Sequence, residues 1–178
     1  MWGWKANGGT ATATGSESGN NPAYSVQANT TAGFSIVTYT GTGAAGTVPH
    51  GLGAVPNVLL VKVRSAQDPW SVYHSANTSA PETDYLVLDS SAATADHSNR
   101  WNDTAPTSSV FTVEASGTVN LDAGTFVAYC FTEIQGYSKF GSYEGNGNTN
   151  GTFVYTGFSP AWVMVKRTDS GNNWHIHD

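Results

Sequence analysis

The chain of 178 residues and 18.7 kDa has the length of one ordinary domain, and its 74 Gly, Ser, Thr and Asn residues against nine Leu and Ile argue against helical bundles and leucine-rich doubly wound sheets. Charged residues make up 11% of it, the net charge is -6 and the pI is near 5.1, which excludes a phosphate-neutralising surface for nucleic acid, and no apolar run is long enough for membrane insertion. Leu, Ile, Val and Phe total only 32 residues, yet aromatics reach 12% and the net charge is small, so the composition reads as a folded, loop-rich, all-β chain.

Residues 1–32 are too short for a unit of their own and are expected to be a linker or the tail of a preceding unit. The opening Met1-Trp2-Gly3-Trp4-Lys5 has neither the basic nor the apolar segment of a secretory leader, and Trp2-Gly3-Trp4 stands where Tyr129-Cys130-Phe131 stands in the next unit. Phe34 to Thr40 alternates Phe34, Ile36 and Thr38 against Ser35, Val37 and Tyr39, the period of a strand. Asn57 to Val63 is a short apolar run, suited to a strand buried on both faces, with Pro56 ahead of it. Further strands are expected at Trp70 to His74, Tyr85 to Leu88, Val110 to Val113 and Thr125 to Thr132, the last apolar on both faces and therefore central. Turn clusters separate them at Gly41-Thr42-Gly43, Ser65 to Pro69, Ser75 to Asp84, Ser90 to Ser98, Ser116-Gly117 and Asp122-Ala123-Gly124. Short strands at this spacing predict an antiparallel β-sandwich-like unit with no long helix, a barrel being the second choice.

Comparing the chain with itself reveals a second copy of one segment at an offset of 104 residues, with no gap. Tyr39, Gly41 and Gly43 recur as Tyr143, Gly145 and Gly147; Gly53 and Pro56 as Gly157 and Pro160; Val61 and Lys62 as Val165 and Lys166; Trp70 as Trp174. Residues 33–135 are thus expected to be a complete unit and 136–178 a truncated second copy, the chain being a fragment of a longer repetitive protein. The segments Tyr39 to His74 and Tyr143 to Asp178 should share one local fold, with Trp70 and Trp174 in equivalent, core-like environments.

Residue patterns for chemistry are sparse. The lone Cys130 lies inside an apolar run and reads as a small buried core residue rather than a reactive thiol. His175, His177 and Asp178 could approach a metal from one face of a strand, but the first copy has Ser71, Tyr73 and His74 there, so no metal or other cofactor is expected. His50, replaced by Val154 in the copy, reads as a turn or packing histidine. Asp84, Asp89, Asp96 and Asp103 lack calcium-loop spacing, and Gly141 to Gly145 echoes a nucleophile elbow without the helix that must follow it. With no catalytic pattern, the expected function is non-enzymatic. Aromatic faces that could stack on sugar rings remain, and the expected recognition residues are Trp101, in the polar stretch Asn99 to Thr104, with Arg100 and Tyr73. A carbohydrate-active module, lectin or glycan hydrolase, is the alternative.

The stretches GFSIVTYTGTGAAGTVPHGLGAVPNVLLVK, RWNDTAPTSSVFTV, FVAYCFTEIQGYSKFGSYEGNGNTNGTFVYTGF and PAWVMVKRTDSGNNW resemble a repeated β-rich domain of unassigned biochemistry from virion and tail-fibre-type proteins of marine tailed bacteriophages. The resemblance covers the chain from about Ala28 onward, and Trp4 to Gly8 looks like the link after a preceding unit. It implies a module on an exposed virion appendage, in contact with host-surface glycans, and carries no catalytic residue to transfer. Those proteins are generally much longer, and phage fibres are commonly trimers. Strands between residues 138 and 176 lack much of their own module, which should expose Phe153, Phe158, Trp162 and Met164. Packing on the complete unit, pairing with residues 1–32 or self-association, as a homotrimer, could cover them; self-association through the C-terminal segment is expected.

Overall fold

The computed structural model describes residue 3 and residues 5–178, so the Trp2-Gly3-Trp4 expectation lies outside the described residues. Alternation of side chains decides how the strands associate. In β3 (Phe34–Thr40), Ser35, Val37 and Tyr39 point inward, and the same pattern places Phe126, Ala128 and Cys130 of β10 (Thr125–Phe131) beside them. The complementary residues Val127, Tyr129 and Phe131 are also apolar or aromatic and half-buried, on the outer face of a strand flanked on both sides. β10 is indeed central, antiparallel to β3 and to β5 (Val58–Val63).

One eight-stranded sheet results, in the order β1-β2-β3-β10-β5-β6-β7-β8. Its remaining strands are β1 (Ala13–Gly15), β2 (Ala23–Asn29), β6 (Ser71–His74), β7 (Asp84–Val87) and β8 (Ala95–Asp96). A ribbon of β4 (Gly46–Pro49) and β9 (Val110–Val113) forms the second layer, joined by the four-residue helix α1 (Gly117–Asn120) capped by Ser116. Between the layers, Val26, Val37, Tyr39, Leu59, Val61, Val63 and Phe126 of the sheet meet Val48, Phe111, Val113 and Val119. Tyr39 and Phe126 stack at 4.9 Å, and the Tyr39 hydroxyl donates to the Val119 carbonyl. The fold is all-β, antiparallel and sandwich-like, and the sheet does not close into a barrel.

The expected boundary at residue 33 is not a structural one. β2 pairs with β3 along its whole length, from Ala23 opposite Thr40 to Asn29 opposite Phe34, because Tyr24, Val26 and Ala28 continue the apolar inner face. Residues of the supposed linker therefore build the sheet. At the other end, residues 139–162 contain no strand, and β11 (Val163–Lys166) with β12 (Trp174–His177) forms a separate hairpin.

Candidate functional site

Two of the three expected recognition residues are interior. Trp101 is 2% exposed: its Nε1–H donates to the Asp84 carbonyl at 3.0 Å, and its ring meets Tyr73 edge-on at 6.1 Å. The polar flank that suggested a surface loop is real, since Asn102, Asp103 and Thr104 are exposed, but Asn102 and Asp103 adopt left-handed backbone (φ 54 and 44) and turn the tryptophan inward as a plug. Tyr73 is 3% exposed in the same cluster, where burial pushes its hydroxyl up to about 12. Arg100 is half-buried, its guanidinium 4.1 Å from the Tyr85 ring centre and its Nη1 donating to Ser71 Oγ at 2.8 Å. Ser71 in turn donates to Thr118 Oγ1, which lies 2.9 Å from Ser116 Oγ, so Arg100 ties β6 to the cap of α1. The expectation that these residues form a surface site is therefore corrected: they hold the two layers together.

Two buried ionisable groups, Cys130 and His50, are held in unreactive forms. Cys130 is fully buried beside Ser35, and burial raises its thiol to about 12, too high for a nucleophile near neutrality. His50 sits at the end of β4 with no exposed surface; its Nε2 lies 3.1 Å from the Thr107 carbonyl and its Nδ1 accepts from Leu52 N–H at 3.3 Å. Those partners fix a neutral ring, and burial lowers its pKa. It is the packing histidine that its turn context suggested.

An aromatic row lies on the outer face of the sheet. Register places Ile36, Tyr129, Leu60 and Val72 in one line across β3, β10, β5 and β6, with Phe34, Phe131, Val58 and His74 in the next. Tyr129 stacks between Phe34, at 6.3 Å and 9° between planes, and Trp70, at 6.1 Å and 19°. Phe131 and His74 both approach Phe140, at 6.3 and 6.4 Å. Trp70, Tyr129 and Phe131 are half-buried, so this row, not the Trp101 loop, brings aromatic rings to solvent. Its sequence signal was the second apolar face of Thr125 to Thr132.

The second hairpin repeats the first in register. Leu59, Leu60 and Val61 oppose Tyr73, Val72 and Ser71; their counterparts Val163, Met164 and Val165 oppose His177, Ile176 and His175. Lys62 Nζ donates to the Asp68 carbonyl, and Lys166 Nζ donates to Asn172, the equivalent carbonyl, at 2.7 Å. Gly43 and Gly147 have φ of 68 and 66, and Gly53 and Gly157 have 71 and 81, so the matched glycines occupy the same left-handed conformation. Upstream the copies diverge: Tyr39 is buried in β3, whereas Tyr143 is exposed and outside any strand. Trp70 and Trp174 are both half-buried rather than core residues.

The tip of the second hairpin is seated on the segment after β7. Trp174 Nε1 donates to the Val87 carbonyl at 3.0 Å, Lys166 Nζ and the Asn172 N–H donate to the Ser91 carbonyl at 3.2 and 2.8 Å, and Thr94 N–H donates to the Thr168 carbonyl at 2.9 Å. Backbone groups on one side and two long side chains on the other make this a defined junction between the first unit and the second hairpin. Elsewhere, a cleft of about 370 Å³ lies between Glu133, Ser138, Lys139 and Tyr155, its charges neutralised by a 2.7 Å Lys139–Glu133 pair.

No curated protein and no solved structure matches the chain. A single family model, described as a domain of unknown function (DUF7483), matches residues 1–178, spanning both the sheet and the second hairpin. The chain belongs to that DUF7483 family.

Proposed function

We propose that the chain is a non-enzymatic structural and adhesive module of a virion appendage of the tail-fibre kind, built to repeat along a longer polypeptide. The observation that carries this reading is the second hairpin, which reproduces the first strand pair at the same register and is seated on the first unit by four hydrogen bonds. A fold whose units meet their neighbours through a repeated contact suits an elongated scaffold. Its virion setting and contact with host-surface glycans rest on the resemblance of the quoted stretches. The neutral, buried state of Cys130 and His50 supports the absence of catalysis. Self-association through the exposed residues 141–155, in the trimeric manner of phage fibres, belongs to the same reading.

A second reading, a glycan-binding lectin, is favoured by the half-buried aromatic rings of the outer face, Trp70 and Tyr129, since partly exposed aromatic surface suits stacking on sugars. A panel of cell-surface polysaccharides, with a reducing-sugar readout and a binding readout, tests both. The expected result is no release of reducing ends; turnover overturns the non-enzymatic reading. Saturable binding that Trp70→Ala and Tyr129→Ala abolish would establish the lectin.

A further inference from the structure

The segment Val87 to Thr94 faces two hairpins. With its own unit it makes two contacts to Trp70: Leu88 N–H donates to the Trp70 carbonyl at 3.2 Å, and the Asp89 carboxylate accepts from Trp70 N–H at 3.0 Å. With the second hairpin it engages the Trp174 indole, the Lys166 ammonium, the Thr168 carbonyl and the Asn172 N–H. The first hairpin carries the same four groups at the 104-residue offset: the Trp70 indole, the Lys62 ammonium, the Arg64 carbonyl and the Asp68 N–H. Lys62 already makes the internal bond to residue 68 that Lys166 makes to residue 172, so its tip is folded in the seated form. Among the described residues, however, the Trp70 Nε1–H, Arg64 carbonyl and Asp68 N–H have no hydrogen-bond partner. Arg64 and Gln67 are exposed, and Asp68 and Trp70 are half-buried, so the tip is open to an approaching chain.

We infer that the first hairpin tip, Lys62 to Trp70, is a docking surface for the Val87–Thr94 segment of another unit of this kind, a second copy of this chain serving as that unit. The inference rests on the tandem reading above and extends it: each unit receives its predecessor on one tip and presents Val87–Thr94 to its successor. Such a contact joins two different patches, so it propagates head to tail rather than closing into a pair. Within a single chain the segment is occupied by residues 166–174, which compete at high effective concentration and hold the wild-type chain back from this contact.

Cysteine trapping in the full chain tests both levels. A Cβ placed at Gly171 lies 3.6 Å from the Ser91 carbonyl, so Ser91→Cys with Gly171→Cys is expected to close a disulfide within the chain. Gln67 is the position equivalent to Gly171. Ser91→Cys with Gln67→Cys, in a chain whose own hairpin is unseated by Trp174→Ala, is expected to give a ladder of covalent oligomers on a non-reducing denaturing gel. The ladder should disappear when Trp174 is restored and when Trp70→Ala is added. Slow hydrogen exchange at the Trp101 indole N–H verifies that the sheet stays folded in each variant. If the Ser91–Gly171 pair fails to close, the junction and with it the tandem reading fall. If that pair closes while the Ser91–Gln67 pair stays monomeric, or ladders whether or not Trp174 and Trp70 are present, the docking surface alone is overturned.

Discussion

Asn120, at the end of α1, has no exposed surface, and its side chain closes the loop between β3 and β4: Oδ1 accepts from Thr42 N–H at 2.8 Å, and Nδ2 donates to the Ala44 carbonyl at 2.6 Å. Asn120→Ala removes both bonds and leaves the half-buried Thr42 N–H without its partner, so a loss of about 1–2 kcal/mol is expected, read as a lower urea midpoint at unchanged slope. His50 carries a pH prediction. Its Nδ1 accepts from Leu52 N–H, and burial holds its pKa below 6.5; His74, whose Nδ1 accepts from Ala76 N–H at 3.1 Å, is shifted in the same direction by the same cause. The unfolded chain therefore binds protons below pH 6.5 that the folded chain refuses, so stability is full above that value and falls as the pH drops beneath it. Urea titrations at pH 7.5 and pH 5 should show the decline, and His50→Gln should flatten it. Neither Asn120 nor the inward turn of Trp101 was legible in the sequence, because both depend on partners far along the chain, at Thr42 and Ala44 or at Asp84.

Strands declared themselves wherever alternation was accompanied by β-branched or aromatic residues. Phe34–Thr40 and Val110–Val113 match the expected spans, and the ends of the other four move by one residue. β4, with Gly46 and Pro49 in four residues, has little strand propensity of its own and exists because β9 pairs with it. β2 alternates as clearly as β3, yet the repeat offset drew the boundary at Gly33 and hid it among linker residues. The central position of β10 was legible from its two apolar faces, and it yields a packing prediction. Ala128 lies directly between Val37 of β3 and Val61 of β5, all three without exposed surface. Ala128→Leu would force added methylenes between those neighbours and should destabilise by about 1–3 kcal/mol in thermal or urea unfolding. Val127→Leu, on the half-buried opposite face of the same strand, should change stability by less.

At the scale of the molecule, the repeat was legible because Gly, Pro, Lys and Trp recur at fixed positions, and the shared hairpin register is what those residues specify. The environment of the second copy was not legible, because it depends on which surface covers it. Seating on Val87–Thr94 leaves Trp162 and Met164 half-buried, Phe158 likewise, and the strand-forming residues of the N-terminal segment, 13–15 and 23–29, are paired in the main sheet as β1 and β2. Of the residues expected to be uncovered only Phe153 is, at 86% exposed; Tyr155 at 76% and Val154 at 48% continue it, while Ile176, Tyr143 and Val163 are exposed elsewhere in the segment. Phe153 to Tyr155 follow or overlap the counterpart of β4. A Thr-Phe-Val-Tyr run with high strand propensity, no charge and no strand pairing among the described residues is the surface through which the proposed self-association would run. Light scattering at micromolar concentration is therefore expected to give a mass above that of a monomer, and three times it if the fibre-like arrangement holds. Phe153→Ser with Tyr155→Ser should return the chain to a monomer without lowering its urea midpoint, since both side chains already stand in water. A wild-type chain that remains monomeric up to the highest soluble concentration would exclude association through this segment.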